Sequence, residues 1–509
     1  MQRNKKRKSQ RIRKKIVINL DSIIEDEIKN HSLRIKFKNT TDDNELDSKI
    51  SKTKIHKDYT NIPFVTIDGE DSKDFDDAVY ARKIDRGFLL MIAISDVSYF
   101  VKPNSLIDKE AKTRANSFYF PDRAIPMLPE FLSNNFCSLI PNEKRLCLIV
   151  KIEINDNGKI IKTLIERGII KSIARLTYEK VENYINSESN SQNDIKDIIK
   201  NLYESYDKIK KVSSLRGKID LDIEEFKIKK VNKKKDFIFE KDKSLVSMKI
   251  IEEFMIMANN VVANFIKNKK VKSLYRNHDE PSEEKLTKLN SFLYNLGIDF
   301  NKNKKVLHKN IQKIINNDKH PKFNLIKAMI LRSQSKAYYH FKNIGHFGLA
   351  LENYTHFTSP IRRYSDLIVH RKLCEILYNS NEKIVDQIDE SLCEHLLSQE
   401  KKGELIERSI IEKACCLYLT NIKRKNFTGT IDGMTEFGIF VKAIELPFTG
   451  LARLNNIRND YYSYDATKEC IVGRKSGLKF KLGEKVSFRI KSNNIMKGQI
   501  SLHQIKHLI

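Results

Sequence analysis

The sequence predicts a multidomain chain, in which a large domain of mixed α/β character precedes a small β-barrel of the OB type. Its 509 residues are enough for two to four domains with a sizeable core. Strand-like apolar segments and stretches of helical apolar spacing fill most of the chain. From Asn426 onward, short alternating segments separated by glycines replace them, which is typical of a small barrel.

The chain is strongly basic, with a formal net charge of +28 and a pI near 9.5. Such a surplus of positive charge favours a polyanionic partner, with nucleic acid first and an anionic membrane surface second. Lysine, isoleucine and asparagine are all abundant, so a biased genome could produce part of this charge. The charge therefore supports nucleic-acid binding without deciding it.

The cysteines and the apolar runs indicate the compartment. The seven cysteines are odd in number and show neither Cys-x-x-Cys pairs nor zinc-site spacing, which favours a reducing environment. No run of about 18 apolar residues occurs, so no membrane span is expected. No signal-peptide core follows the basic N-terminus. We therefore expect a cytoplasmic protein with no membrane partner.

Residues 1–57 are predicted to be a basic tail and a lead-in segment, not a domain. Met1 to Lys15 is dense in lysine and arginine, which suits a solubilising extension and a nucleic-acid contact equally well. The rest of this region is polar apart from one short apolar stretch around Ile18 to Ile28.

The most informative stretch is TIDGEDSKDFDDAVY, from Thr66 to Tyr80. It places five aspartates and one glutamate within ten residues, between strand-like flanks. Clustered carboxylates repel one another, and hard oxygen ligands suit Mg²⁺ or Mn²⁺ better than zinc. A solvated acidic turn is the alternative, but Phe75 inside the run indicates a partly buried loop. The spacing does not fit an EF-hand.

Strands, one long loop and several helices are predicted after the acidic run. GFLLMIAISDVSYFV, from Gly87 to Val101, predicts a central strand with Asp96 near its end. A loop with four prolines then spans Asn116 to Pro141. Further strands and helices are predicted at 146–153 and 162–173, and at 179–211, 247–267, 282–296, 322–339 and 383–419. The barrel is expected to contain five strands.

Four motifs, in this order, resemble the bacterial ribonuclease R family within the ribonuclease II (RNB) superfamily of exoribonucleases. They are TIDGEDSKDFDDAVY, SFYFPDRAIPMLPE, GHFGLALENYTHFTSPIRRYSDL and FTGTIDGMTEFGIFV. The resemblance implies an α/β RNB catalytic domain at residues 58–421 and an S1-type RNA-binding OB domain at 424–508. It also implies a monomeric hydrolase of the exoribonuclease II type. Such an enzyme processively degrades single-stranded RNA from its 3′ end to nucleoside 5′-monophosphates, with one or two Mg²⁺ ions or with Mn²⁺.

The resemblance also implies site residues. The metal would be held by Asp68, Asp74, Asp76 and Asp77, with Asp76 also catalytic, while Glu70 and Asp71 would shape the turn or support the metal ligands from outside. Tyr119 would stack on the terminal base, although it could be a core aromatic. Arg362 would grip the phosphate, whereas Arg363 could pair with Asp366. RNA contacts are further expected at Thr358, Ser359, Glu407, Leu221, Phe437 and Phe440, with Tyr461 and Tyr462 as weaker candidates.

The sequence departs from the family pattern at three places. About sixty residues precede the aspartates, so cold-shock OB domains are not expected there. Leu221 stands where the family often has an aromatic that sandwiches bases, which predicts a looser grip on the terminal nucleotides. A basic tail beyond the barrel is also not expected.

Two other functions are consistent with the same residues. An RNA-binding protein with reduced or lost nuclease activity would keep the barrel and the charge, but it would not need the four aspartates and Arg362. A metal-dependent enzyme acting on DNA is excluded only weakly, because no residue can be assigned to reading a 2′-hydroxyl.

Overall fold

The structure is a computed structural model. It describes residues 18–37, 53, 55–186, 194–222, 224–231, 236–242, 244–303, 306–317, 319–378, 388–422, 426–458, 460–465 and 470–508. The predicted basic tail, residues 1–15, lies outside these ranges.

A seven-stranded sheet forms the centre of the larger domain. With strands numbered in chain order, its spatial order is β1 (Lys57–Asp58), β8 (Ile160–Lys171), β7 (Lys144–Ile154), β4 (Gly87–Ser95), β3 (Asp77–Ile84), β2 (Val65–Asp68) and β9 (Ala174–Thr177). Neighbours run antiparallel, except that β1 is parallel to β8 and β2 is parallel to β9. The central strand β4 is almost wholly buried, as its apolar sequence predicts.

Helices cover the sheet and extend beyond it. They are α1 (Leu20–Asn30), α2 (Val97–Phe100), α3 (Leu106–Arg114), α4 (Tyr178–Asn186), α5 (Asp194–Arg216), α6 (Val246–Asn268), α7 (Glu283–Tyr294), α8 (Leu307–Ile315), α9 (Phe323–Ser333), α10 (Tyr364–Tyr378) and α11 (Glu390–Thr420). Side chains of α5, α6 and α10 share one hydrophobic core with the sheet. None of the helices described has the length and apolarity needed to cross a bilayer.

Three short strand pairs project from this framework. They are β5 (Phe118–Tyr119) with β6 (Ala124–Ile125), β10 (Phe226–Val231) with β11 (Asp236–Lys241), and β12 (Tyr275–Asn277) with β13 (Tyr338–His340). All three are antiparallel. The first lies in the proline-containing loop and carries Tyr119.

The C-terminal region is a closed five-stranded barrel, as the alternation predicts. Its strands are β14 (Asn426–Thr435), β15 (Gly438–Ala443), β16 (Thr449–Arg453), β21 (Gln499–His507) and β20 (Lys485–Asn494). A second sheet, inserted between β16 and β20, consists of β17 (Tyr462–Asp465), β18 (Cys470–Gly473) and β19 (Lys479–Lys481). The inserted sheet was not predicted, although its side chains share the hydrophobic core of the barrel.

The helical pattern at 179–211 corresponds to α4 and α5. One predicted helix differs from the structure. The helix expected at 322–339 ends at Ser333, where Gln334 is extended. Tyr338 to His340 then pairs with β12, so tertiary pairing replaces the helical pattern there. The predicted domain boundaries at 57/58 and 421–424 stay a prediction.

One buried ion-pair cluster connects the end of the central strand β4 to β8 and to the residue before β1. Asp96, which is 0% exposed, caps α2 and lies 2.7 Å from Arg167 Nε and 3.1 Å from His56 Nε2. Ser98 donates a hydrogen bond of 2.6 Å to the same carboxylate. Although burial acts to raise it, the charge of Arg167 and the bond to His56 hold the pKa of Asp96 well below its ordinary value. The cluster therefore requires the charged carboxylate.

Asp96→Asn is expected to lower the free energy of unfolding by about 3–5 kcal/mol, because it leaves the buried Arg167 charge without a counterion. The midpoint of urea unfolding measures the loss. The matched control is Asp85→Asn, which changes an exposed turn residue and should stay within about 0.5 kcal/mol. An Asp96→Asn midpoint equal to that of the control would contradict the assignment.

Candidate functional site

The acidic loop lies between two strands of the central sheet. Asp68 ends β2 and Asp77 begins β3. Phe75 is buried between them, as the sequence predicts. Ser138 anchors the loop through two hydrogen bonds. The Phe75 N–H donates to Ser138 Oγ at 3.0 Å, and Ser138 Oγ donates to the Lys73 carbonyl at 2.8 Å. These bonds fix the backbone from which the aspartates project.

The structure separates the acidic residues into two groups. Glu70 and Asp71 are exposed, whereas the other four acidic side chains are buried or half-buried. Asp68 Oδ2 and Asp76 Oδ2 are buried without a hydrogen-bond partner, and Asp76 Oδ2 has an ion pair with Arg362. Glu70 and Asp71 thus differ from the other four in exposure, and their role in shaping the turn stays a prediction.

Burial and mutual repulsion disfavour the charged carboxylates. Burial, followed by the charge of Asp74, raises the pKa of Asp68 to about 6. Burial raises the pKa of Asp76 to about 8, although Arg362 acts to lower it. Burial and the charges of Asp68 and Asp76 raise the pKa of Asp77 well above its usual range. A cation among these groups would relieve the penalty.

The donor set fits a hard divalent cation in its chemistry. All four aspartates offer carboxylate oxygens, and two of those oxygens are buried without a hydrogen-bond partner. Within the described residues, however, no three His, Cys, Asp or Glu side chains converge as a ready-made metal centre. The structure therefore brings the four aspartates into one loop without drawing them together as a closed cage.

The turn before α10 contacts the acidic loop, although Ile361 and Asp76 are 285 positions apart in sequence. The Ile361 N–H donates to Asp76 Oδ1 at 2.8 Å. Arg362 Nε lies 3.3 Å from Asp76 Oδ2, and the Arg362 side chain remains partly exposed. The predicted phosphate-binding arginine and the predicted catalytic aspartate are thus in contact.

The residues around Arg362 hold it in place. Arg362 Nη2 donates to Ser359 Oγ at 2.9 Å, so the buried Ser359 orients the guanidinium. Thr358 is also buried. Arg363 forms two hydrogen bonds of 2.9 and 2.8 Å with Asp366, which bears out the alternative structural reading for that arginine. The expected contacts of Thr358 and Ser359 with RNA stay a prediction.

Tyr119 lies beside the same loop on the β5–β6 hairpin. Its ring is 51% exposed, and its hydroxyl donates a 2.5 Å hydrogen bond to Asp74 Oδ2. Burial of the hydroxyl and the charge of Asp74 raise the pKa of Tyr119. The Ser117 N–H donates to the Arg362 carbonyl at 3.0 Å, which joins this hairpin to the arginine turn. An exposed ring next to the aspartates can stack on a base.

Two further predicted residues lie on other elements of the structure. Glu407 is exposed on α11, where desolvation and the charges of Glu225 and Glu404 raise its pKa. Leu221 is half-buried against the hydrophobic cluster of α7, α8 and α9. Their roles in binding RNA stay predictions.

The barrel presents two of its predicted aromatics at the surface. Phe437 is 52% exposed, and its ring meets the half-buried Phe440 edge-to-face with centroids 6.1 Å apart. In the inserted sheet, Tyr462 of β17 is buried, whereas Tyr461 just before that strand is exposed. Only one of those two tyrosines can therefore face a ligand.

The sequence analysis missed Arg175 and Tyr178. Arg175 Nη2 donates to the carbonyls of Gly69 at 2.7 Å and of Glu70, and its charge acts to lower the pKa of Asp68. Burial and the charges of Asp77 and Asp68 raise the pKa of Tyr178. Both residues reach the loop because β9 pairs in parallel with β2. No local pattern marks this pairing.

The comparisons with known proteins agree with this geometry. The RNB domain model matches residues 56–379. Ribonuclease R of Vibrio cholerae is 35% identical in an alignment of 477 residues that covers 88% of this chain and 57% of that protein. Ribonuclease R 2 of Lactococcus lactis is 36% identical in an alignment of 467 residues that covers 88% of this chain and 69% of that protein. The chain thus spans little more than half the length of the first relative and over two thirds of the second.

A solved structure has the same fold. Mycoplasma genitalium RNase R in complex with ribose methylated single-stranded RNA superimposes with a TM-score of 0.87 at 29% sequence identity. The match covers 96% of this chain and 78% of that one. The chain therefore belongs to the RNB domain family and, within it, to the ribonuclease R group.

Proposed function

We propose that this chain is an exoribonuclease that hydrolyses single-stranded RNA processively from its 3′ end and releases nucleoside 5′-monophosphates. One observation carries the proposal: Asp76 accepts the Ile361 N–H at 2.8 Å and lies 3.3 Å from Arg362 Nε. In that contact, the arginine that would bind phosphate lies beside the acidic loop. Support also comes from the relative of similar fold that was solved with single-stranded RNA.

Arg362 would bind the scissile phosphate. Its guanidinium is oriented by Ser359 and by Asp76, and its partial exposure leaves donors for a phosphate oxygen. Charge builds on the phosphate oxygens during attack by water, so a fixed arginine at this place would stabilise the transition state. Because Ser359 is buried, the orientation is set before the substrate arrives.

Asp68, Asp74, Asp76 and Asp77 would hold the divalent cation, for which Mg²⁺ is proposed and Mn²⁺ is an alternative. When bound, such an ion activates water and neutralises charge on the phosphate and the leaving oxygen. Asp76 contacts Arg362, so it would lie close enough to the bound phosphate to orient the metal or the attacking water. Arg175 would keep the turn in shape by holding its carbonyls.

Tyr119 would define the end of the substrate channel by stacking on a terminal base. Stacking is tolerant of sequence, because every base has a π face. Phe437 and Phe440 of the barrel would contact nucleotides farther from the scissile bond, whereas Glu407 would contact the last nucleotide. The surplus of positive charge would attract the backbone.

We further propose that the protein acts as a monomer in the cytoplasm. All seven cysteines are free and buried, which suits a reducing compartment. The natural partner would be a single-stranded RNA 3′ end.

End-labelled RNA and DNA of matched sequence, incubated with Mg²⁺ or with EDTA and without phosphate, test the reaction. Among these samples, we expect nucleoside 5′-monophosphates only from RNA incubated with Mg²⁺. Binding of RNA without release of mononucleotides would favour the RNA-binding alternative. Equal release from DNA would overturn the assignment of RNA as the substrate.

Asp76→Asn is expected to reduce hydrolysis of oligoadenylate by roughly 10²–10³-fold or more, because it removes the charge beside Arg362 at nearly constant volume. RNA affinity should change little. Asp71→Asn is the matched control, since it removes an exposed charge from the same loop and should leave the rate near that of the wild type. An active Asp76→Asn protein would disprove the role of this residue.

Tyr119→Ala is expected to lengthen the shortest undegraded fragment, because the last nucleotides lose a stacking contact worth about 1–3 kcal/mol per base. Gel analysis of the end products of a long homopolymer measures the change. Tyr119→Phe keeps the ring and loses only the hydrogen bond to Asp74, so its fragment should match the wild type. An unchanged fragment in Tyr119→Ala would argue against stacking there.

The raised pKa values predict a pH-dependent effect of Mg²⁺ on stability. Between the unfolded pKa of Asp, about 3.9, and the folded values, the folded state binds more protons, so the carboxylates reduce stability as pH rises. A cation replaces those protons. The rise in melting temperature on adding MgCl₂ to EDTA-treated protein should therefore be larger at about pH 9 than at about pH 5.

Asp68→Asn should reduce this Mg²⁺-dependent shift, whereas Asp71→Asn should preserve it. A shift that is equal at both pH values, or one that is insensitive to Asp68→Asn, would show that the ion does not bind at these carboxylates.

A further inference from the structure

Helix α1 is packed more firmly than its polar sequence surroundings suggest. Leu20, Ile23, Ile24 and Ile28 are buried on one face of the helix, and Ile24 is 0% exposed. They share one hydrophobic cluster with Ile406, Ile410 and Ala414 of α11 and with Phe118 and Ile125 of the β5–β6 hairpin. The helix thus contributes to the packing beneath the hairpin that carries Tyr119.

Polar contacts link α1 to the same neighbours. Glu25 forms a 2.7 Å ion pair with Arg123, in the turn of the hairpin. Glu27, which is buried, accepts hydrogen bonds from Lys413 and from Ser409 of α11. The helix therefore bridges the hairpin and α11 through charge as well as through apolar burial.

The β5–β6 hairpin depends on such support. Each strand has two residues, and the pair forms a sheet of its own. A two-stranded hairpin alone is only marginally stable in water, so packing must fix its position. Alternation along β5 sends Phe118 into the α1 cluster and leaves Tyr119 exposed beside Asp74. A displacement of Phe118 would consequently displace Tyr119.

We infer that α1 is a positioning element for Tyr119, with Ile24 and Glu25 as its positioning residues. The inference rests on the proposed function, because it assumes that Tyr119 stacks on the 3′-terminal base. In this arrangement the helix neither touches RNA nor takes part in hydrolysis. It sets the position at which the 3′ end of the RNA is bound, and hence the length of the shortest undegraded fragment.

The test measures stacking without hydrolysis. RNA ending in 2-aminopurine at its 3′ terminus is titrated with protein that carries Asp76→Asn, and fluorescence quenching reports stacking of the terminal base. Loss of one stacked base weakens binding by roughly 5- to 150-fold. We expect Glu25→Lys, which opposes Arg123 with a like charge, to reduce the quenching and to weaken binding by part of that factor.

Asp26→Lys is the matched control, because it makes the same charge change at the exposed neighbouring position of the helix. It should leave the quenching unchanged. In the active background, Glu25→Lys should also lengthen the final fragment, whereas Asp26→Lys should not. Equal behaviour of the two lysine variants would overturn the inference.

A second pair of variants separates positioning from loss of stability. Ile24→Ala and Ile330→Ala each truncate a fully buried isoleucine, the first in α1 and the second in α9. Only Ile24→Ala should lengthen the fragment, and it should add nothing in a chain that already carries Tyr119→Ala. If Tyr119→Ala alone changes neither quenching nor fragment, the stacking proposal fails and this inference with it. If Tyr119→Ala changes both and neither α1 variant does, this inference alone fails.

Discussion

The contact between Asp76 and the Ile361–Arg362 turn is the interaction on which the candidate site depends. Two like charges about 5 Å apart repel by roughly 3 kcal/mol at an effective dielectric of about 20, so clustered buried aspartates oppose folding. The Ile361 N–H and the Arg362 guanidinium offset part of that repulsion at Asp76. The same contact positions the Arg362 guanidinium, which would bind a phosphate in the proposed mechanism. Asp76 and Arg362 would therefore contribute both to stability and to catalysis.

The net charge of the whole chain and the local charge of the acidic loop have opposite signs. The whole chain carries +28, whereas the loop concentrates negative charge in a half-buried turn. A polyanion attracted by the overall field would still meet repulsion at the aspartates, unless a divalent cation stood between them. Burial first, and repulsion from neighbouring carboxylates second, raise the pKa values of Asp68, Asp76 and Asp77.

Support for the site comes from elements far from it in sequence. Ser138 holds the backbone of the acidic loop, Arg175 holds the carbonyls of its turn, and α1 packs beneath the Tyr119 hairpin. None of these contacts the reacting atoms in the proposed mechanism. A segment that reads as a polar lead-in can therefore matter for where the substrate is gripped.

The sequence by itself predicted most of the elements and the residues of the candidate site. Alternation and helical spacing predicted the central strand, the long helices and the five-stranded barrel, because those patterns follow from burial on one face or on both. The motifs also predicted the acidic loop, Tyr119 and Arg362, and they separated Glu70 and Asp71 from the other carboxylates. Only the tertiary structure decided which residues meet. The parallel pairing of β2 with β9, the short strand at Tyr338 to His340 and the docking of α1 depend on partners far along the chain. Local patterns carry no information about such partners, because the free energy of these contacts arises only when both sides are present.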